Sequence, residues 1–224
     1  MIQIDDLTFR YRDGEFRLRV PSLEVPRGQS LAIVGPSGSG KTTLLNLIAG
    51  ILEPAAGKIS VGDTEVTGLQ DAARRDFRIR HMGLVFQEFE LLDYLPVIDN
   101  VLLPYRITSA LRLSNEVSQR AGSIAAKVGI ADKLDRFPGQ LSQGERQRAA
   151  ICRALITEPS LLLADEPTGN LDPGNKGRVL DILFDYVVST GTTLITVTHD
   201  HDLISRFDRV LDFRDFLSPG QAVA

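Results

Sequence analysis

The stretch "GPSGSGKT", residues 35 to 42, sets glycines, a lysine and a threonine at the spacing G-x-x-x-x-G-K-[ST]. Glycines let consecutive backbone N–H groups point inward as a cradle for phosphate oxygens. The loop Gly35, Pro36, Ser37, Gly38, Ser39 and Gly40, with Lys41, Thr42 and Thr43 behind it, is therefore a candidate phosphate site. Lys41 brings positive charge to β- and γ-phosphates, and Thr42 offers a hydroxyl to Mg²⁺. A helix N-terminus beneath the loop adds its partial positive charge. "LLLADE" carries two carboxylates at the end of an apolar run. Asp165 is placed to hold Mg²⁺ through water, and Glu166 to accept a proton from, or orient, an attacking water. Strand alternation predicts that the two point to opposite faces.

A third stretch, "LSQGERQRAA" from residue 141, reads as a helix start. Ser142 as N-cap and Glu145 three residues on make a capping box. Gly144 inside that first turn costs stability relative to alanine, so its bare backbone needs a reason.

The elements around these residues follow from periodicity. "IQIDDLTFRY" and "EFRLRVPSLEV" alternate on either side of Asp13-Gly14, a hairpin signal. "QSLAIVG", "HMGLVFQ", "SLLLADE", "TTLITVTH" and "RVLDF" read as strands, separated by helical stretches such as "KTTLLNLIAGI" and "KGRVLDILFDYVVS". Strands alternating with helices predict a mostly parallel sheet covered on both faces. Helical periodicity dominates residues 88–157, which predicts a helical block inserted into an α/β core formed by 1–87 and 158–224. "LSPGQAVA" reads as a frayed tail.

Composition narrows the function classes. A net charge of −4 with interleaved signs gives no basic face for nucleic acid. The single cysteine, Cys152, excludes an intrachain disulfide and fits a reducing compartment; it reads as a small buried side chain. "MIQIDDLTFR" lacks a signal-peptide pattern, and no run reaches the ~18 apolar residues of a membrane span. A soluble, cytoplasmic chain is expected. His81 and His201 read as surface residues.

With the phosphate loop, "LLLADE" and "LSQGE" together, the chain resembles the nucleotide-binding subunit of an ABC transporter over nearly its whole length. The resemblance implies a P-loop NTPase (RecA-like) fold with an antiparallel β subdomain and an inserted helical subdomain. It implies ATP and Mg²⁺ as ligands and ATP hydrolysis as the activity. Tyr11 would stack on adenine, with Phe16 as a rival aromatic. Gln87 would touch Mg²⁺ or water, Asp172 in "GNLDP" would be the D-loop aspartate, and His199 in "TVTHD" the switch histidine near the γ-phosphate. Ser142, Gln143 and Gly144 would close on ATP held by an opposing chain, so the partners are a second cassette, as a homodimer or otherwise, and an integral membrane permease on whose cytoplasmic side the chain sits.

Gln143 and Glu145 depart from the family's usual LSGGQ. "EFELLDYLPVIDN" supplies either a groove for the permease's coupling helix or core for the helical block. "LLLADEPTGNLD" is most similar to the subgroup of lipoprotein-release, macrolide-export and cell-division ATPases. The alternative is a regulatory, non-transport cassette of the cell-division type with slow turnover.

Overall fold

The computed structural model describes residues 1–12 and 16–216, with only the backbone of His201 and Asp202. The expected Asp13-Gly14 turn, the side chain of His201 and the 217–224 tail lie outside the described residues. In chain order the elements are β1 (Ile2–Arg10), β2 (Arg17–Val25), β3 (Ser30–Val34), α1 (Lys41–Ile48), β4 (Ala56–Val61), β5 (Thr64–Glu65), α2 (Asp71–His81) and β6 (Met82–Val85). Four helices follow: α3 (Val97–Val101), α4 (Leu103–Arg106), α5 (Asn115–Lys127) and α6 (Gln143–Leu155). The chain then runs through β7 (Leu161–Asp165), α7 (Pro173–Thr190), β8 (Thr193–Val197), α8 (His201–Ile204) and β9 (Arg209–Asp212).

Alternating sequence makes one sheet and continuous apolar sequence the other. Ile2, Ile4, Leu7, Phe9, Leu18 and Val20 are buried along β1 and β2. The strands pair antiparallel from Ile2 against Val25 to Arg10 against Arg17, in a sheet ordered β2-β1-β4-β5. Pro21 is tolerated because β2 lies at the sheet edge. The second sheet runs β6-β7-β8-β3-β9 with parallel neighbours. "SLAIV", "LLLAD" and "TLITV" are buried almost throughout, as strands covered on both faces must be. Ligands of such sheets bind beyond the carboxyl ends of the strands. Here those ends lead into Gly35, Asp165 and His199.

Helix α2 has no counterpart among the sequence expectations. It is strongly basic, with few apolar positions, so periodicity does not reveal it. Its arginines fasten it instead. Arg74 is buried and pairs with Glu53 and with Asp71 at 3.6 Å. The Arg78 guanidinium donates to the Ala49 and Gly50 carbonyls at 3.1 Å each, satisfying the orphan end of α1.

The helical block between β6 and β7 has its own apolar cluster, including Val97, Val101, Val117, Ala121, Ala149, Cys152 and Ile156. Helix α6 also sends Ile151, Ala154 and Leu155 into the cluster under the parallel sheet. It therefore belongs to both layers. Cys152 is fully buried, and burial pushes its thiol up to about 12.

Candidate active site

The chain leaves β3 into a loop whose turns need glycine: Gly38 takes φ 74° and Gly40 φ 104°, both left-handed. At Gly40 a Cβ would also lie 2.5 Å from the Phe16 ring. Lys41 opens α1, and its ammonium donates to the carbonyls of Gly35 at 2.9 Å and Pro36 at 2.7 Å. Burial lowers its pKa, opposed by the charges of Glu166 and Asp165. The lysine is thus held under the loop by groups that a phosphate can replace.

Asp165 ends β7. Burial raises its pKa, while a hydrogen bond with the Thr42 side chain and the Lys41 charge draw it down. Its Oδ1 is buried with no hydrogen-bond partner. A hydroxyl and a carboxylate with a free buried oxygen, beside a phosphate cradle, suit a divalent cation.

The expected alternation across the strand end does not place Glu166. This residue lies past β7 with φ 43°, a left-handed conformation that a glutamate seldom adopts. Its N–H donates to the Val197 carbonyl at 2.9 Å, which holds the turn against β8. Glu166 Oε2 meets His199 Nδ1 at 2.8 Å. Gly169 is bare where a Cβ would lie 3.3 Å from Glu166 Oε2 and 3.4 Å from Gln87 Nε2. The Gln87 amide, the Glu166 carboxylate and His199 therefore converge.

Tyr11 is 44% exposed. Its ring stands edge-on to Phe9, 4.8 Å between centroids, and its hydroxyl lies 3.1 Å from Thr43 Oγ1. Phe16, the rival, lies against Gly40. The half-exposed flat surface beside the loop is that of Tyr11.

The capping box forms as its sequence predicts. Ser142 Oγ accepts from the Glu145 N–H at 3.3 Å, and the Ser142 N–H donates to Glu145 Oε2 at 2.8 Å. That second bond holds the Glu145 carboxyl below the usual carboxylate range. Ser142 and Gln143 are exposed, whereas Gly144 is buried. A Cβ on Gly144 would lie 2.8 Å from Asn175 Cγ, so the bare backbone has a cause within the chain. Asp172 caps α7: its Oδ1 accepts from the N–H groups of Gly174 at 3.1 Å and Asn175 at 3.2 Å.

The ABC transporter family matches residues 18–169, more than half of this length. The chain belongs to the ABC transporter family. The lipoprotein-releasing system ATP-binding protein LolD of Chromohalobacter salexigens is 42% identical, covering 94% of this cassette and 90% of its own length. The macrolide export ATP-binding/permease protein MacB of Rhodopirellula baltica is 41% identical over 97% of the cassette and 32% of its own length. Among solved structures, a dimeric ATP-binding cassette in a post-hydrolysis state with ADP and Pi superposes with TM-score 0.86 at 31% identity. That match covers 95% of the cassette and 94% of the solved chain.

The cassette has several concave surfaces away from the phosphate loop. A cavity of about 380 Å³ opens between α2, β6, α4 and the end of α6, lined by Leu84, Phe86, Leu103, Ile107 and Arg153 among others. "EFELLDYLPVIDN" is not its wall. Val97 and Val101 are core of the helical block. Buried Asn100 clips the preceding loop, its Oδ1 accepting from the Leu92 N–H at 2.7 Å and its Nδ2 donating to the Leu95 carbonyl at 3.0 Å. Tyr94 is left exposed. The cavity wall could not be read ahead because it joins residues from four separated elements.

Sequence reasoning also missed Gln147, Arg148 and Asn175, which lie behind the Ser142–Gly144 turn, the signature turn of this cassette. The sequence assigns the bare backbone at Gly144 to the approach of another chain's phosphate; within this chain its near neighbour is Asn175.

Proposed function

We propose that this cassette binds and hydrolyses ATP between two cassettes, and so drives a membrane-embedded permease of the lipoprotein-release or macrolide-export type. The observation that carries the reading is the cluster of Lys41, the partnerless Asp165 oxygen and the Glu166–His199 pair at the carboxyl ends of β3, β7 and β8. The similarity to LolD and MacB over nearly the whole cassette supports the transporter type. The dimeric neighbour with ADP and Pi supports the pairing and the reaction.

In this reading the loop N–H groups from Ser37 to Thr43 hold the phosphates, and Lys41 exchanges its carbonyl partners for β- and γ-phosphate oxygens. Tyr11 stacks on the adenine. Thr42, Asp165 and Gln87 would hold Mg²⁺, which supplies charge compensation on the phosphates when bound. Glu166 orients water for in-line attack, and His199 fixes that carboxylate and steadies the γ-phosphate. Ser142 and the N–H groups of Gln143 and Gly144, at a helix start of the opposing cassette, cover the same γ-phosphate. Asp172 faces the opposing loop across the joint. Hydrolysis removes the anion that both halves share, and the pair opens. The cavity at Phe86 and Arg153 receives the permease, which places the cassette on the cytoplasmic face of the inner membrane. No helix among the described residues is long and apolar enough to cross a membrane.

Glu166→Gln tests the scheme, because it keeps the shape of the site and removes the base. With Mg-ATP this variant accumulates a nucleotide-bound dimer on size-exclusion chromatography, alone or with its co-purified permease. A monomer under both conditions defeats the scheme.

A further inference from the structure

We infer that Asn175 is a positioning residue for the reaction: it locks the signature turn to the Asp172 loop, and Gly144 is bare in order to admit it. The inference rests on the two-cassette reading, in which Ser142 and Asp172 both serve the opposing nucleotide.

The first turns of α6 and α7 meet at the Asn175 amide, which works in both directions. Its Oδ1 accepts from Arg148 Nη1 at 3.1 Å, and its Nδ2 donates to Asp172 Oδ2 at 2.6 Å. A carboxylate at 175 would keep the first bond and lose the second, and an apolar side chain would lose both. A Cβ at position 144 would fall 2.8 Å from Asn175 Cγ and Oδ1, so no residue larger than glycine leaves the amide where it is. A second brace runs alongside: the buried Gln147 donates from Nε2 to the Pro167 carbonyl at 2.7 Å. One residue beyond Asn175, Lys176 Nζ donates to Asp200 at 2.8 Å, next to His199. The turn and the Asp172 loop, which serve the opposing nucleotide, are thereby tied to the neighbours of Glu166 and His199, which serve the chain's own. Capping boxes need no glycine at this position, so the stability lost at Gly144 is explained by Asn175 or by the opposing phosphate. The two causes predict different things.

The test measures ATPase kcat and KM of the cassette with its permease, fluorescent-ATP affinity of the isolated cassette, and ATP-dependent dimerisation in a Glu166→Gln background. Asn175→Ala is expected to lower kcat on the order of 10- to 100-fold, the scale of a misplaced catalytic group. Nucleotide affinity of the isolated cassette stays at the wild-type value, because its own phosphate loop is untouched. Asn175→Asp, nearly isosteric, gives the same pattern by losing the Asp172 link, and decides the matter should the alanine variant fold poorly. Gly144→Ala also lowers kcat, and combining it with Asn175→Ala makes matters no worse than Asn175→Ala alone, a non-additivity expected of residues in contact. Wild-type kcat in both Asn175 variants overturns the inference. So do fully additive losses in the cycle, which would assign Gly144 to the opposing phosphate. If Glu166→Gln never dimerises with ATP, the two-cassette reading fails and takes the inference with it; if the dimer forms and the Asn175 variants match wild type, the inference alone fails.

Discussion

The phosphate loop with its carboxylates and the signature turn at α6 are both read as phosphate sites, yet they are finished differently. At the first, Asp165 Oδ1 and Ser39 Oγ are buried without partners, and Glu166 sits in a strained left-handed turn. Unsatisfied and strained groups of this kind are tolerated where a ligand or a reaction uses them. At the second, the outer residues Ser142 and Glu145 satisfy each other and Asn175 braces the turn from behind, so that the partnerless atoms there, Gln147 Oε1 and Arg148 Nε, belong to the brace and not to the cap. One site is organised for a small ligand at a cost to the fold. The other, which meets a second molecule in the proposed scheme, has a cap that is complete within the chain.

The sharpest way to break that contrast is at the first site. Glu166→Gln is expected to lower kcat by ~10²–10³, the usual loss for one preorganised group, with thermal stability held or raised. A loss under tenfold would remove Glu166 from the chemistry. Next comes the signature turn, where folding and turnover should separate. Aspartate is as good an N-cap as serine, so Ser142→Asp keeps stability within about 0.5 kcal/mol, whereas Ser142→Ala costs about 1 kcal/mol. The aspartate variant nonetheless loses turnover on the order of 10²-fold by setting a negative charge against the γ-phosphate. Denaturant melts and steady-state kinetics on both variants check this; full activity of Ser142→Asp would end the clamp reading.

A smaller effect is expected at Tyr11. Aromatic stacking on a base contributes about 1–3 kcal/mol, so Tyr11→Ala weakens nucleotide binding roughly tenfold, and Tyr11→Phe, which loses only the bond to Thr43, weakens it far less. An unaffected alanine variant would hand the role to Phe16.

The smallest effect concerns stability against pH. The folded-state pKa of Asp165 is raised, chiefly by burial. A raised acid destabilises the fold above its folded pKa, and the penalty vanishes once pH falls below the ordinary value of 3.8. Asp165→Asn therefore raises Tm by a few degrees at neutral pH, about 2–4 °C per kcal/mol for a chain of this size. The gain over wild type shrinks as pH falls toward 3.8. Glu145 runs the other way. Its pKa is lowered, first by the Ser142 N–H, so its stabilising contribution is present above the ordinary carboxylate range and is lost as pH falls through the folded value. Melts of Asp165→Asn and Glu145→Gln across pH should thus show opposite signs at neutrality.

Much of this arrangement was legible in the sequence because it is local. The phosphate loop, the capping box and the strand leading to Asp165 are each set by residues within one short stretch. What could not be read depends on distant partners. Glu166 takes its direction from a hydrogen bond to Val197, not from strand alternation. The neighbour of Gly144 is 31 positions away. Helix α2 was hidden by its charge, since arginines that bond to another helix's carbonyls leave no apolar stripe.

Helix α6 gives the molecule a mechanical property. Its 13 residues span about 20 Å, with Ser142 at one tip. Near the other, Arg153 lines the outer cavity and grips the carbonyls of Phe89, at 2.6 Å, and Glu90. Phe89 and Glu90 are both left-handed, a kinked strap cinched onto the shaft. A push at that end moves the serine tip together with the Pro167 and Asp172 segments braced to it, because a helix packed on two layers bends little. In the proposed scheme this makes α6 a stiff lever, with its handle toward the membrane protein and its point toward the other cassette's ATP.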